Sequence, residues 1–432
     1  MSLDTMKEVL LDGQAILPFT GTFRQLEITP LPGKASICIG VRRCGKSTLM
    51  LQILEKLIAG GVSQENIVQL NFIDDRLHIL QEQGLGLVTE AFYTLYPQKK
   101  NKEKVYFFFD EIQIIRGWET FVDRLMRTEL CEVYITGSSA QMLSREIATQ
   151  MRGRSLSWEL FPFSFAEFLD FKKIKHPKHL SSKQRMEVQH AFEQYWKCGG
   201  FPEVLELEQS LRIKIHQEYF QTILYRDVVE RYDIAHPKAL RDVARYLLDN
   251  AASLYSLNAL YGYLKSLGHK LQKVTVGQYL EWLEDSYFLF SVRLYDASLS
   301  RSNANPKKIY CVDHAMVTSI STGILVNAGH LLENFVFAVL RRKAPGIFYY
   351  RTTSGKEVDF MIVVNRSEKQ LVQVCESLAS DKTKKRELAA LQEAMLEQKL
   401  SEGWVVTRNE SQELETEAGV IHVVPAWSLA LG

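Results

Sequence analysis

Eight consecutive residues, Gly40, Val41, Arg42, Arg43, Cys44, Gly45, Lys46 and Ser47, fit the pattern G-x-x-x-x-G-K-[ST] between an apolar run and a helical one. Glycines let the backbone curl so that its N–H groups surround phosphate oxygens, and the N-terminus of the next helix adds a favourable dipole. Lys46 is then placed to reach the β and γ phosphates. Ser47 offers a hydroxyl to Mg2+, a hard cation that takes oxygen ligands. Thr48, at the helix start, completes the expected nucleotide-binding set.

Hydrolysis also needs a carboxylate for the metal and a group that orients the attacking water. The run Val105 to Glu111 (VYFFFDE) supplies both, with Asp110 for the metal and Glu111 for the water. A later run ends in Thr136, Gly137, Ser138 and Ser139. Ser138 is the favoured sensor of the γ phosphate, the alternative being serines that only cap a following helix. Arg152 and Arg154 are candidates for fingers acting on a neighbouring subunit, and Arg154 is carried into the catalytic set. That role implies a homo-oligomer. ATP and Mg2+ are the expected cofactors.

Elements must hold these residues in place. Short β-branched and aromatic runs at 35–40, 67–72, 104–110 and 132–138 alternate with helical stretches, which predicts a parallel sheet covered by helices. The runs are apolar almost throughout, as strands buried on both faces are. From 166 to 325 the pattern is mostly helical. Ser256 caps one amphipathic helix that carries Leu257, Leu260, Tyr261 and Leu264, and Gly268 ends it. Thr275 and Gln278 form a capping-box pattern for a second, with Val276, Tyr279, Leu280 and Leu283 at helical spacing. The apolar run FLFSVRLY follows, so the order is that of a winged helix. From 326 a helix (LLENFVFAVLRRK) precedes three strand-like runs, with a turn at Ser354 and Gly355. The expected architecture is α/β: a P-loop domain over 1–165, a helical lid and winged-helix region over 166–325, and a small α/β domain over 326–432.

Lysine plus arginine (52) balances aspartate plus glutamate (51), so affinity for nucleic acid must rest on a local patch. Candidates are the arginines and lysine of 341–343, Arg351, Lys356 and the basic run 382–386. The outer positions of the second helix, Gln278, Glu281, Glu284 and Asp285, argue against reading a DNA groove. Lys265, His269, Lys270 and Lys273 keep phosphate contact at its start open. The six cysteines contain no C-x-x-C pair, and no stretch reaches 18 apolar residues. A cytoplasmic protein that does not span a membrane is expected.

In these motifs the chain resembles the AAA+-type prokaryotic ATPase family that joins a P-loop domain to a C-terminal domain of unknown function. The resemblance rests on GVRRCGKSTL, FFFDEIQ with Gly117, Trp118 and Glu119, ITGSSAQMLSREI, LFPFSFAEF, GGFPEV, YRDVVERY, KIYCVDHAM, LLENFVFAVL and GKEVDF. It covers nearly the whole chain in order. It implies an ASCE-type core with ATP and Mg2+, a winged helix, and a C-terminal fold similar to restriction-like nucleases. Such nucleases hold a metal with a helical glutamate, a strand aspartate and a Glu-x-Lys on the next strand. Glu333 and Asp359 match the first two places, but the third reads Gln373, Val374 and Cys375. Nuclease chemistry is therefore not expected, and Lys356 and Lys384 are the lysines considered as replacements. Two functional readings remain: an ATPase that couples hydrolysis to conformational change on DNA, or a slow ATP-dependent switch that binds a protein partner.

Overall fold

A computed structural model describes residues 1–15, 19–137, 151, 153–304, 306–321, 327–365 and 368–432. Two compact units result, Met1–Leu160 and Phe161–Gly432.

In the first unit β1 (Ala35–Ile39), β2 (Ile67–Asn71), β3 (Val105–Asp110), β4 (Cys131–Gly137) and β5 (Ser155–Glu159) form a parallel sheet in the order β2-β3-β4-β1-β5. Every residue of β1 is buried, as the unbroken apolar run predicts for a central strand. The expected P-loop sheet is therefore present, with one strand more than the four apolar runs indicated. The additional strand, β5, has the sequence SLSWE, and each of its residues is only half-buried. Its polar edge-strand character left no apolar run to read.

β4 lies between β1 and β3. Cys38 of β1 is in register with Thr136 of β4, and Phe109 of β3 with Ile135. The ends of three strands thus meet at one edge of the sheet, where open α/β sheets bind ligands.

The second unit opens with helices Phe165–Phe171 and Ser182–Cys198, each started by a capping box, Ser164 with Glu167 and Ser181 with Gln184. Its sheet runs β13-β14-β12-β11-β10-β9-β7-β8-β6. The strands are β6 (Leu254–Tyr255), β7 (Leu289–Leu294), β8 (Lys307–Cys311), β9 (Ile347–Arg351), β10 (Glu357–Val363), β11 (Lys369–Val374), β12 (Glu402–Thr407), β13 (Gln412–Thr416) and β14 (Gly419–Pro425). β7 pairs parallel with β9, so strands from 166–325 and from 326–432 share a single sheet. Strand alternation sends Phe360 and Ile362 into the core that holds helix Ala328–Lys343, and Met361 into the core that holds helix Asp381–Gln398.

Helices Leu257–Ser266 and Lys273–Asp285 sit between β6 and β7. Ser256 caps the first as expected, accepting from the Ala259 N–H, and Gly268 ends it at φ 84°. The second begins at Lys273 after a Gln272 cap, so Thr275 lies inside it and makes no capping box. Burial of Val276, Tyr279 and Leu283 supports the earlier start. Two outer positions also differ from expectation: Glu284 is half-buried, and Asp285 accepts from the Tyr232 hydroxyl at 3.0 Å. Gln278 and Glu281 are exposed.

Candidate functional site

The phosphate loop turns between β1 and helix Lys46–Ala59. Gly45 stands at the helix start with φ 101°, a left-handed conformation that suits glycine, and Arg43 adopts φ 68°. A Cβ built at Gly40 lands on the carbonyl oxygen of Leu160, so only glycine fits this close approach. Cys44 Sγ donates to the same carbonyl at 3.3 Å, and Arg24 Nη1 donates to the Cys44 carbonyl at 2.6 Å. Lys46 is buried, and its Nζ donates to the Gly40 and Val41 carbonyls at 3.0 and 3.1 Å. The ammonium is thereby held across the mouth of the loop. Gly40→Ala overpacks this turn at a cost of about 1–3 kcal/mol. Set against binding, that cost weakens ATP affinity by roughly tenfold to hundredfold. Titration with a fluorescent ATP analogue checks it, and wild-type affinity would refute the close-approach argument.

The carboxylates meet the loop as the sheet order requires. Ser47 Oγ donates to Asp110 Oδ2 at 2.7 Å. Thr136 Oγ1 donates to Asp110 Oδ1 and accepts from the Glu111 N–H at 3.2 Å. Glu111 has φ 56°, and its carboxylate accepts from Gln113 Nε2. Such a backbone costs energy for a residue with a Cβ and is common where function demands it. Arg24 and Gln113 were missed by the sequence reading, and Thr136 was named there with Ser138 favoured over it. Thr136 belongs to the hydroxyl-bearing run already noticed, and strand register alone selects it over its neighbours.

Ser138 and Arg152 lie outside the described residues. Arg154 Nε is 3.7 Å from Asp123 of its own chain, which also pairs with Arg127 at 3.0 Å. Thr136→Val strips Asp110 of a donor and the Glu111 N–H of its acceptor. A loss of roughly 1–3 kcal/mol is expected, read as a lower denaturant midpoint with an unchanged m-value.

The second unit gathers a separate ion cluster. Asp359 stands at the bulge of β10 between Val358 and Met361, an irregularity that re-aims a side chain. Asp359 Oδ2 accepts from the Val374 N–H at 2.9 Å. Gln373 Oε1 accepts from the Asp359 N–H at 3.3 Å, and its Nε2 donates to Glu387 at 2.7 Å. Glu333 accepts from the Tyr310 hydroxyl at 2.6 Å. Between Glu333 and Asp359 lies the ammonium of Lys308, which the sequence reading did not single out. Burial works against its charge, but Asp359, Glu333, Tyr310 and Glu357 together hold its pKa well above the ordinary lysine value. Lys356, considered from sequence, instead pairs with Glu393 at 2.8 Å.

Residues 32–169 match the AAA domain family, 189–324 a domain of unknown function (DUF8612) and 328–429 another (DUF4143). An uncharacterized protein of Methanocaldococcus jannaschii is 32% identical over 437 residues, covering 98% of this chain and 95% of its own length. The chain belongs to the same family. A further member, an uncharacterized protein of Haemophilus influenzae, is 31% identical over 324 residues, 74% of this chain and 78% of that one. Among solved structures, the Aeropyrum pernix Orc1 protein in complex with DNA aligns at 14% identity over 75% of this chain and 92% of its own, with a TM-score of 0.32.

In this family member the basic residues named from sequence are largely engaged within the chain. Arg341 and Arg342 lie 5.7 and 5.4 Å from the Phe161 ring, Arg351 pairs with Glu357 at 3.3 Å, and Arg386 Nε donates to Glu387 at 2.9 Å. His269 pairs with Asp242 at 2.7 Å. Lys382 and Lys385 are exposed. Among the described residues no helix is long and apolar enough to cross a membrane.

Proposed function

We propose that this AAA-type protein hydrolyses ATP with Mg2+ and couples turnover to rearrangement of its second unit. The observation that carries this reading is the joining of Ser47, Asp110 and Thr136 at one strand edge, with Glu111 on the adjoining backbone. Gly40 to Thr48 would hold the nucleotide phosphates, and Ser47 and Asp110 would hold the metal. Bound Mg2+ supplies charge neutralisation of the phosphates. Lys46, now on loop carbonyls, supplies a cation at the phosphates, and Glu111 orients water. Arg154 and Ser138 remain proposed as finger and sensor, and a finger would require a homo-oligomer.

We assign the ATPase work to 1–165, the lid and winged helix to 166–325, and a restriction-nuclease-like fold without cleavage to 326–432. Support for the winged helix is the pairing of β8 with both β6 and β7 around the two helices. DNA is the proposed partner through Lys382, Lys385 and the lysines at the helix turn, in a cytoplasmic setting. The second reading, a slow switch binding a protein, is favoured by exposed Gln278 and Glu281 on the second helix. Steady-state ATP hydrolysis with and without single- and double-stranded DNA, at low and physiological salt, separates them. Stimulation that fades with salt supports action on DNA. Slow turnover indifferent to DNA supports the switch, and ATP binding without hydrolysis refutes the enzyme.

A further inference from the structure

Three carboxylates converge on one nitrogen in the second unit. Lys308 Nζ lies 2.9 Å from Glu333 Oε1, 2.8 Å from Asp359 Oδ1 and 3.0 Å from Glu357 Oε1, with only 4% of its side chain exposed. An ammonium has three donors; here two hydrogen-bond to Glu333 and Asp359, and Glu357 adds an ion pair. The acceptors come from helix Ala328–Lys343 and from β10, while the lysine comes from β8. Tyr310, two residues along β8 on the same strand face, donates to the same Glu333 oxygen as Lys308.

A divalent cation in such a place needs oxygen ligands at about 2.0–2.6 Å around an open centre. The centre between Glu333 and Asp359 is instead taken by nitrogen. The strand position where a metal-binding nuclease carries glutamate is Gln373, and its amide is committed to Asp359 and Glu387. Among the described residues no group of three or more His, Cys, Asp or Glu side chains is disposed to hold a metal. The residues present therefore do not fit the metal that a restriction-like fold implies. Inaccessibility is not the reason, because Lys308, Glu333 and Asp359 line a cavity of about 1010 Å³.

We propose that the Lys308 ammonium is the resident cation of the Glu333, Glu357 and Asp359 site, doing the electrostatic work of a divalent ion and excluding one. The ammonium offsets part of the charge of the carboxylates and ties β8 to β10 and to the helix that carries Glu333. It offers no vacant coordination position for water, so the site serves architecture and not hydrolysis. Removing Lys308 leaves two buried carboxylates, Glu333 and Asp359, without a counter-charge beside the half-buried Glu357, which keeps Arg351, a situation that recruits a cation or forces protonation.

The test uses the full-length chain carrying Ser47→Ala and Asp110→Asn, so that Mn2+ at the phosphate loop does not contribute. Free Mn2+ is measured by electron paramagnetic resonance up to about 1 mM, the weak end of carboxylate cation sites. With Lys308 intact, no Mn2+ dependent on Asp359 is expected. With Lys308→Met, one bound Mn2+ and a Mn2+-dependent rise in melting temperature are expected, both lost on adding Asp359→Asn. A folded Lys308→Met protein that binds no Mn2+ overturns the proposal. Should Lys308→Met fail to fold, the Lys308-containing protein and its Asp359→Asn variant still decide. An ion lost with Asp359 overturns the proposal, and no ion in either supports it.

Discussion

Glu111→Gln lowers steady-state ATP hydrolysis by roughly 10²–10⁴-fold while ATP still binds, the range that a positioned proton acceptor contributes. The amide keeps the shape of the carboxylate, and the Glu111 N–H bond to Thr136 is made by backbone and survives. The variant thus removes basicity and little else. Lys46→Ala should behave differently, losing ATP affinity itself, because Lys46 Nζ sits on the carbonyls of the loop proposed to hold the phosphates. Hydrolysis and nucleotide binding measured side by side give the contrast, and undiminished hydrolysis in Glu111→Gln would falsify the assignment of Glu111 to the water.

Gly199→Ala has the largest expected effect on stability. Gly199 has φ 73°, and a Cβ there lands on Asp313 Oδ1, 2.7 Å from Oδ2 and 2.8 Å from the Ala315 Cβ. Asp313 accepts from the Gly200 N–H at 2.6 Å and caps helix His314–Ile320 through the Ala315 N–H at 2.8 Å. Left-handed backbone costs roughly 1–2 kcal/mol and each of the two charged hydrogen bonds about 1.5–3 kcal/mol, so a loss of roughly 4–8 kcal/mol follows. In a unit of this size the melting temperature falls by roughly 10–20 °C, measured by calorimetry. A near-native transition would show that Asp313 moves aside freely. The same geometry explains why GGFPEV and CVDHAM stood out together in the sequence: the two motifs are each other's partners.

The turn of the phosphate loop was legible because its motif lies in eight consecutive residues, with glycine at 40 and 45 where the backbone needs it. Asp110 and Glu111 were legible for the same reason, as the end of an apolar strand. Thr136 was only partly so, since hydroxyls at 136, 138 and 139 look alike until sheet register brings one to Asp110. The lysine cluster had no such signature. Lys308 meets residues 25 and 51 positions away along the chain, and no period or motif links those positions. Thr275 misled because its spacing to Gln278 satisfies a capping box while buried Val276 and Tyr279 draw the helix start back to Lys273. Local patterns were read correctly where local forces decide, and incorrectly where distant packing does.

The pairing of β7 with β9 has a mechanical meaning. A hinge needs a seam across which few hydrogen bonds run, and the ladder between the helical hairpin and the C-terminal strands is short: Arg293 pairs with Phe348, Leu294 with Tyr349, and the Tyr295 N–H donates to the Tyr349 carbonyl at 2.8 Å. A pull applied to helix Lys273–Asp285 enters β7 and has only this short ladder by which to reach β9. Strain between the two parts of this sheet would therefore concentrate at β7 and β9, where the ladder is shortest, and not among the longer ladders that join β12, β13 and β14.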